Sequence, residues 1–253
     1  MKVKILGTGT SQGVPVIACN CSVCQSTDPN DKRLRASVLI EINETTIVID
    51  AGPDFRQQML REKVKNIDAI LITHEHRDHI AGLDDVRSFN FINKKPIDIY
   101  AEPRVQEAIK IEYSYSFVDE KYPGVPQFNL LNLTEEPFKI NGIEIIPLRL
   151  IHSKLPVLGF RIGDFTYITD ANYISEEVKE KILGTKFLVI NALRKQKHAS
   201  HFSLSEAIDF INQINPKRAY ITHISHQMGL HHDVNEELPH HISLAYDGLH
   251  FEL

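Results

Sequence analysis

The sequence predicts an α/β protein in which mixed β-sheets are covered by helices, and three features carry that reading. Short β-branched runs alternate with amphipathic stretches, several runs pair across short turns, and the helical stretches open with start signals. The runs Val38–Ile42 and Thr46–Ile49 flank Asn43–Glu44 and read as a hairpin. Pro53–Lys63 follows as a helix with proline at its first position, and Ala69–Thr73 as a strand. Phe138–Ile140 and Ile143–Leu150 flank Asn141–Gly142, and Leu158–Ile162 and Phe165–Thr169 flank Gly163–Asp164, giving two further hairpins. Ser203–Ile214 opens with the capping-box pattern Ser203-x-x-Glu206. The stretch Tyr113–Phe128 breaks the rhythm and reads as an aromatic insertion over a sheet, whose rings are expected to bury themselves before they serve as a lid or subunit contact.

No proline- or serine-rich linker and no repeat interrupts the 253 residues, so residues 1–253 are expected to form one domain. A formal charge of −5 without a long Lys/Arg cluster argues against a nonspecific nucleic-acid or membrane-surface binder. Met1–Leu6 reads as a strand running into a glycine-rich turn and no apolar stretch is long enough to span a bilayer, so a cytoplasmic protein is expected. The three cysteines, Cys19, Cys21 and Cys24, are a poor basis for a disulfide framework and point to metal binding.

The strongest chemical signal is His74-Glu75-His76-Arg77-Asp78-His79, directly behind the strand Ala69–Thr73 and followed at once by an apolar stretch that can start a helix. Imidazole and carboxylate suit Zn²⁺, Mn²⁺ or Fe²⁺, and a cluster at a strand end lets one turn aim two sets of donors at two neighbouring ions. A solvated loop has no reason to place this set behind a buried strand.

The segment resembles the H-x-H-x-D-H signature of the metallo-β-lactamase superfamily, which implies a four-layer αβ/βα sandwich of two mixed sheets flanked by helices. Further ligands implied by the resemblance are His152 after Ile143–Ile151, Asp170 after Phe165–Thr169 and His223 after Arg218–Thr222. Taken alone, His152 or His223 would more often be a satisfied structural histidine, but their joint position at strand ends reverses that balance. By the same resemblance His74, His76 and His152 hold one ion, Asp78, His79 and His223 the other, and Asp170 bridges them. Asp50, after Thr46–Ile49, matches the family's aspartate that supports the ligand loop from outside, with a plain turn carboxylate as the equal alternative. Two such cations make a nucleophile from water at neutral pH and neutralise charge building on a phosphoryl or carbonyl oxygen, so hydrolysis is expected, with Asp78 and Asp170 in its machinery. An aspartate at position 170, where β-lactam-hydrolysing members carry cysteine, points to phosphodiester or thioester substrates.

At both ends the chain resembles the PhnP group, phosphoribosyl cyclic-phosphate phosphodiesterases related to ribonuclease Z, through Gly7–Pro15, Cys19-Asn-Cys21-Ser-Val-Cys24 and Thr222-His223-Ile-Ser-His226-Gln227. The resemblance implies a structural zinc on Cys19, Cys21, Cys24 and His226, a closed site that staples rather than catalyses. The sequence itself leaves His231 and His232 as alternative fourth ligands. It also implies that His201, ahead of the capping box, contacts phosphate or protonates the departing alkoxide, with His198 as a second proton source and a helix-entry histidine as the ordinary alternative. The Gly7–Gly13 loop lacks the Gly-Lys-Ser/Thr of a P-loop and reads as a tight backbone approach beside the site; Lys154 could assist an anionic substrate.

The expected function is hydrolysis of a small, cyclic phosphodiester such as phosphoribosyl 1,2-cyclic phosphate, with two divalent ions, Zn²⁺ or Mn²⁺ and also Fe²⁺, and one structural zinc. Competing expectations are a ribonuclease Z-like tRNA 3′ endonuclease, a glyoxalase II-like thioester hydrolase, and an inactive metal-binding module. The first needs a basic arm to grip tRNA, and none is evident between Asp170 and His201. A homodimer, common among such relatives, is a state the resemblance allows.

Overall fold

The computed structural model describes residues 1–120 and 122–253. Two mixed sheets lie face to face. The first comprises β1 (Lys2–Gly7), β2 (Ser37–Ile42), β3 (Thr45–Ile49), β4 (Ala69–Leu71), β5 (Ile97–Ala101), β6 (Phe128–Asn132) and, at its edge, the C-terminal strand β15 (His250–Glu252). Its order is β15-β1-β2-β3-β4-β5-β6, antiparallel as far as β3 and parallel beyond it. The second comprises β7 (Phe138–Ile140), β8 (Ile143–His152), β9 (Leu155–Ile162), β10 (Phe165–Ile168), β11 (Tyr173–Ile174), β12 (Phe187–Asn191), β13 (Arg218–Thr222) and β14 (Ile242–Leu244). It runs β11-β8-β9-β10-β12-β13-β14, with β7 paired to β8, and turns parallel after β10.

Strand alternation explains the layering, because both faces of each sheet are covered. In β2 and β3, Val38, Ile40, Ile47 and Ile49 face the second sheet and meet Leu158, Phe160, Phe165 and Tyr167. Their neighbours Leu39 and Val48 face outward, onto a core that includes α2 (Phe55–Arg61), α4 (Arg87–Asn93) and α5 (Pro103–Glu112). The outer face of the second sheet is likewise covered by α6 (Glu176–Ile182), α7 (Leu204–Ile214) and α8 (His231–Glu237). The result is the expected helix–sheet–sheet–helix order. In α7 the Ser203 side chain and Glu206 form both halves of the capping box.

Boundaries differ from the sequence reading at two informative places. The hairpin strands β8 and β9 extend to His152 and back from Leu155, closing on the two-residue turn Ser153–Lys154. The helix expected after the histidine motif begins inside it, as α3 (Arg77–Ile80). The aromatic stretch is tied into the outer core of the first sheet: Tyr113 is buried and donates from its hydroxyl to the Ile80 carbonyl at 2.8 Å, and Phe128 opens β6. Tyr115 and Tyr122 stay exposed. Among the described residues, no helix is long and apolar enough to cross a membrane.

A buried polar latch joins the two ends of the chain. The Arg33 guanidinium donates to the Thr8 hydroxyl at 2.9 Å and the Ala245 carbonyl at 2.7 Å, and Asp247 accepts from the Thr8 hydroxyl and the Leu34 amide. Arg33 also lies 3.1 Å from His231 Nδ1. Because arginine only donates, the facing nitrogen must be bare. Burial first, and then the Arg33 charge, brings His231 down to about 4, against the opposing pull of Asp28 and Asp31. The unfolded chain therefore takes up a proton below its ordinary value of 6.5 that the folded chain refuses until about 4, so this group withdraws stability as pH falls through that window. Asp247, pushed up to about 6 by burial, works in the opposite direction. His231→Gln is expected to lessen the fall in urea-unfolding stability over that window relative to the parent chain; an equal fall in both proteins would refute the assignment.

Candidate metal centre

The clustered side chains all hang from the C-terminal ends of strands or the turns that follow them, where both sheets open toward the same crevice. His74 comes three residues after β4, His76 is the residue before α3, and Asp78 and His79 lie in its first turn. His152 ends β8, Asp170 follows β10 and His223 follows β13. Asp50, Asp170 and His223 all take left-handed backbone conformations, with φ of 64°, 53° and 54°. Such residues cost about 1–3 kcal/mol each unless the surroundings enforce them. Here the bend turns the chain sharply at the strand end.

The ligand atoms of His74, His76 and His152 lie within 4.8 Å of one another, as do those of Asp78, His79, Asp170 and His223. Asp170 stands between the groups. Its Oδ2 is 2.6 Å from His79 Nε2 and 3.8 Å from His74 Nε2, while its Oδ1 is 3.0 Å from His223 Nε2 and 3.2 Å from His201 Nδ1. A third grouping, His152, Asp170 and His201, meets the same distance limit. The structure thus brings together every residue of the expected binuclear set and adds His201 to its edge.

Other groups fix the rings. His79 Nδ1 donates to Asp50 Oδ2 at 2.7 Å, and His152 Nδ1 donates to the Ser200 carbonyl at 2.7 Å. The Thr73 hydroxyl donates to Asp50 at 2.9 Å and accepts from His74 Nδ1 at 3.0 Å. One buried carboxylate thereby orients His74 through Thr73 and His79 directly, leaving Nε2 of both rings aimed into the crevice. Asp50 is this support rather than a turn carboxylate.

Electrostatics agree with a site built for cations. Burial opposes ionisation of Asp170, but His223 and His79 outweigh it and hold the carboxyl well below the usual range. Burial likewise lowers His223, yet Asp170 and Asp78 carry it up to about 9. His74 is driven well below its ordinary value by burial and by His79. His79 Nε2, His201 Nδ1 and His223 Nε2 lie at ion-pair distance from Asp170, yet they, Asp170 Oδ2 and His223 Nδ1 are buried without an aligned hydrogen bond. Buried polar atoms left bare are costly, and their convergence on one crevice fits divalent ions.

Cys19, Cys21, Cys24 and His226 form a separate group, with Cys24 on the short helix α1 (Ser22–Gln25). The three Sγ atoms lie 3.3, 3.4 and 3.5 Å from His226 Nδ1. The Cys24 amide brings the Cys21 thiol down to about 6, whereas burial pushes Cys24 up to about 11. His231 faces Arg33 and His232 pairs with Glu236, so neither competes for the fourth place. Thr10 N–H donates to the Ile224 carbonyl and Ile224 N–H to the Thr8 carbonyl, which seats the Gly7–Pro15 loop beside the strand end that bears His223. Lys154 sits exposed on the turn next to His152.

Three supports escaped the sequence reading. Asn191 is fully buried and binds both the amide and carbonyl of Ala171, at 2.8 and 2.9 Å, pinning the residue after Asp170. Its only signal was an amide ending the apolar strand Phe187–Asn191. Gly52 and Gly82 are the other two: a Cβ on Gly52 would lie 2.0 Å from the Asp78 carbonyl oxygen, and one on Gly82 would lie 2.0 Å from that of Gly52. Backbone interlocking at that range admits only hydrogen, so Gly52→Ala is expected to cost about 1–3 kcal/mol or more. Denaturant unfolding of metal-free protein measures this, and a cost near zero would show that the α3 loop is free to shift.

Comparison with known proteins places this geometry. The family model for the Beta-lactamase superfamily domain matches residues 45–224. A crystal structure of a diphosphatase from the PhnP family superposes with a TM-score of 0.93 at 37% identity, covering 100% of this chain and 97% of that one. A protein of Porphyromonas gingivalis named octanoyltransferase is 41% identical over 252 residues, 98% of this chain but 51% of that protein. The coenzyme PQQ synthesis protein B of Methylorubrum populi is 32% identical over 222 residues, covering 76% and 72%. The chain therefore spans about half the length of the first of these curated relatives and most of the second.

Proposed function

Because the chain belongs to the Beta-lactamase superfamily, we propose that it is a hydrolase dependent on two divalent metal ions and acting on a small phosphodiester such as a cyclic phosphate. The observation that carries this is the Asp170 carboxylate, which turns one oxygen toward His79 and His74 and the other toward His223. In this reading His74, His76 and His152 hold one ion, Asp78, His79 and His223 the other, and Asp170 spans both. Bound there, such a pair supplies Lewis acidity at a phosphoryl oxygen and ionises water near neutral pH. Zn²⁺ and Mn²⁺ both suit the mixed nitrogen and oxygen donors, and Fe²⁺ is admissible. Cys19, Cys21, Cys24 and His226 hold a structural zinc, since three thiolates and one imidazole leave no open position.

The chain's own residues supply the rest. Asp78 and Asp170 stay ionised against burial because His79 and His223 face them. Burial first, and then His223, brings His201 down to about 3, making it a neutral imidazole in the free protein. That favours contact with a phosphoryl oxygen through a hydrogen bond ahead of delivery of a proton. His198, its ring centroid 5.3 Å from that of His201, is exposed and lies farther out. The PhnP-family relative, described as a diphosphatase, supports hydrolysis at phosphorus rather than at a carbonyl carbon. The octanoyltransferase name lends less, because this chain spans only 51% of that protein and its three thiols lie together in the cysteine group. For tRNA, the stretch between Asp170 and His201 folds as β11, α6, β12 and a short loop rather than as a protruding arm.

Protein loaded with Zn²⁺ or Mn²⁺ is expected to hydrolyse bis-p-nitrophenyl phosphate. Asp170→Ala should abolish turnover, and His201→Ala should lower kcat by about 10²-fold or more. Hydrolysis of a thioester with none of phosphodiesters would sink the proposal, and cleavage confined to precursor tRNA would replace it with the ribonuclease reading.

A further inference from the structure

The crevice is shared by two sheets, so its ligand spacing depends on whatever ties those sheets together there. One tie is backbone: Leu158 N–H, in β9, donates to the Thr73 carbonyl at 3.0 Å, next to His74. The other is a side chain outside the ligand set. Arg104, in the first turn of α5, donates from Nη1 to Glu75, the residue between His74 and His76. From Nη2 it donates to the Pro156 carbonyl in β9, whose strand partner Ile151 immediately precedes His152. Glu102, the residue before α5, lies 3.4 Å from the same nitrogen and also accepts two bonds from Arg149 of β8, at 3.0 and 2.5 Å. An ion-pair chain Glu75–Arg104–Glu102–Arg149 thus runs from the histidine loop of the first sheet to the strand that bears His152 in the second. The side chains of Glu75, Arg104, Glu102 and Arg149 are 27%, 31%, 13% and 22% exposed, partly shielded rather than solvated.

We propose that Arg104 is a positioning residue for the metal centre. By clasping Glu75 and the Pro156 carbonyl at once, it sets the separation of His74 and His76 from His152, and so sets the affinity of the three-histidine site selectively. The Asp78, His79, Asp170 and His223 group lies outside this clasp, being braced by Asp50 and Asn191. The fork of the guanidinium matters, because lysine has a single nitrogen and cannot hold a carboxylate and a carbonyl in fixed relation. The inference rests on the two-ion reading above and concerns only how one of its sites is held.

Metal-free protein titrated with Co²⁺ provides the test, since thiolate charge-transfer bands separate the cysteine group from the weaker bands of histidine and aspartate sites. Arg104→Ala is expected to weaken one of the two weak-band equivalents by about 10- to 100-fold, the usual effect of losing a ligand's outer support. The other equivalent should stay within about twofold, and Arg104→Lys should fall between. In a His76→Ala background, Arg104→Ala should have no further effect, as a shared site requires. Glu75→Gln, a gentler change, should weaken the same equivalent by less. Unchanged affinity at both equivalents, equal loss at both in step with a lowered Tm, or a rise in KM alone would each overturn the clasp. A parent chain that takes up no weak-band equivalent would overturn the two-ion reading beneath it as well.

Discussion

The structure turns on one buried carboxylate. Asp170 sits at the end of a central strand with a left-handed backbone, almost free of solvent contact, and four histidine nitrogens converge on its two oxygens. An ionised carboxylate in such a place is very costly unless cations meet it. In the metal-free chain that role falls to His79 and His223, both raised by the carboxylates beside them, while burial and neighbouring imidazoles hold His74 and His201 neutral. Divalent ions would offset the cost for Asp170 and Asp78 together. The same requirement explains why Asp50, Thr73 and Asn191 are spent on holding atoms that never reach the crevice.

The folding pattern supports that constraint from both sides. Each sheet changes from antiparallel to parallel pairing partway across, and β4 of the first sheet and β8, β10 and β13 of the second deliver their turns to one edge. Hydrogen-bonded strands are rigid, and the inner layer between the sheets is packed with β-branched and aromatic side chains. The loops that bear ligands are then fixed by backbone contact, as where Gly52, Gly82 and α3 interlock. The cysteine group adds an independent brace to the strand-end loop carrying His223 and His226.

Much of this was legible in the sequence, and the reasons are physical. Hairpins announce themselves through polar and glycine turns between alternating runs, and β2–β3, β7–β8 and β9–β10 followed that signal. His152, Asp170 and His223 were marked through the family resemblance, each behind an apolar strand, although nearly 150 residues separate His74 from His223. What could not be read depends on chain segments meeting in space. Arg104 looks like an ordinary first-turn helix residue until Glu75 and Pro156 come to either side of it. His226, His231 and His232 are equivalent as letters, and only the fold turns one toward the thiols, one toward Arg33 and one to the surface. The α3 turn was misplaced because its donors, Asp78 and His79, read as loop chemistry while their backbone is helical.

The central claim is that Asp170 lies between two ions rather than beside one. Anomalous diffraction from crystals of protein loaded with Zn²⁺ addresses it directly. Two peaks about 3.5–4 Å apart on either side of the Asp170 carboxylate are predicted, with a third among Cys19, Cys21, Cys24 and His226. A single peak held by His152, Asp170 and His201, with Asp78 and His79 left empty, would contradict it.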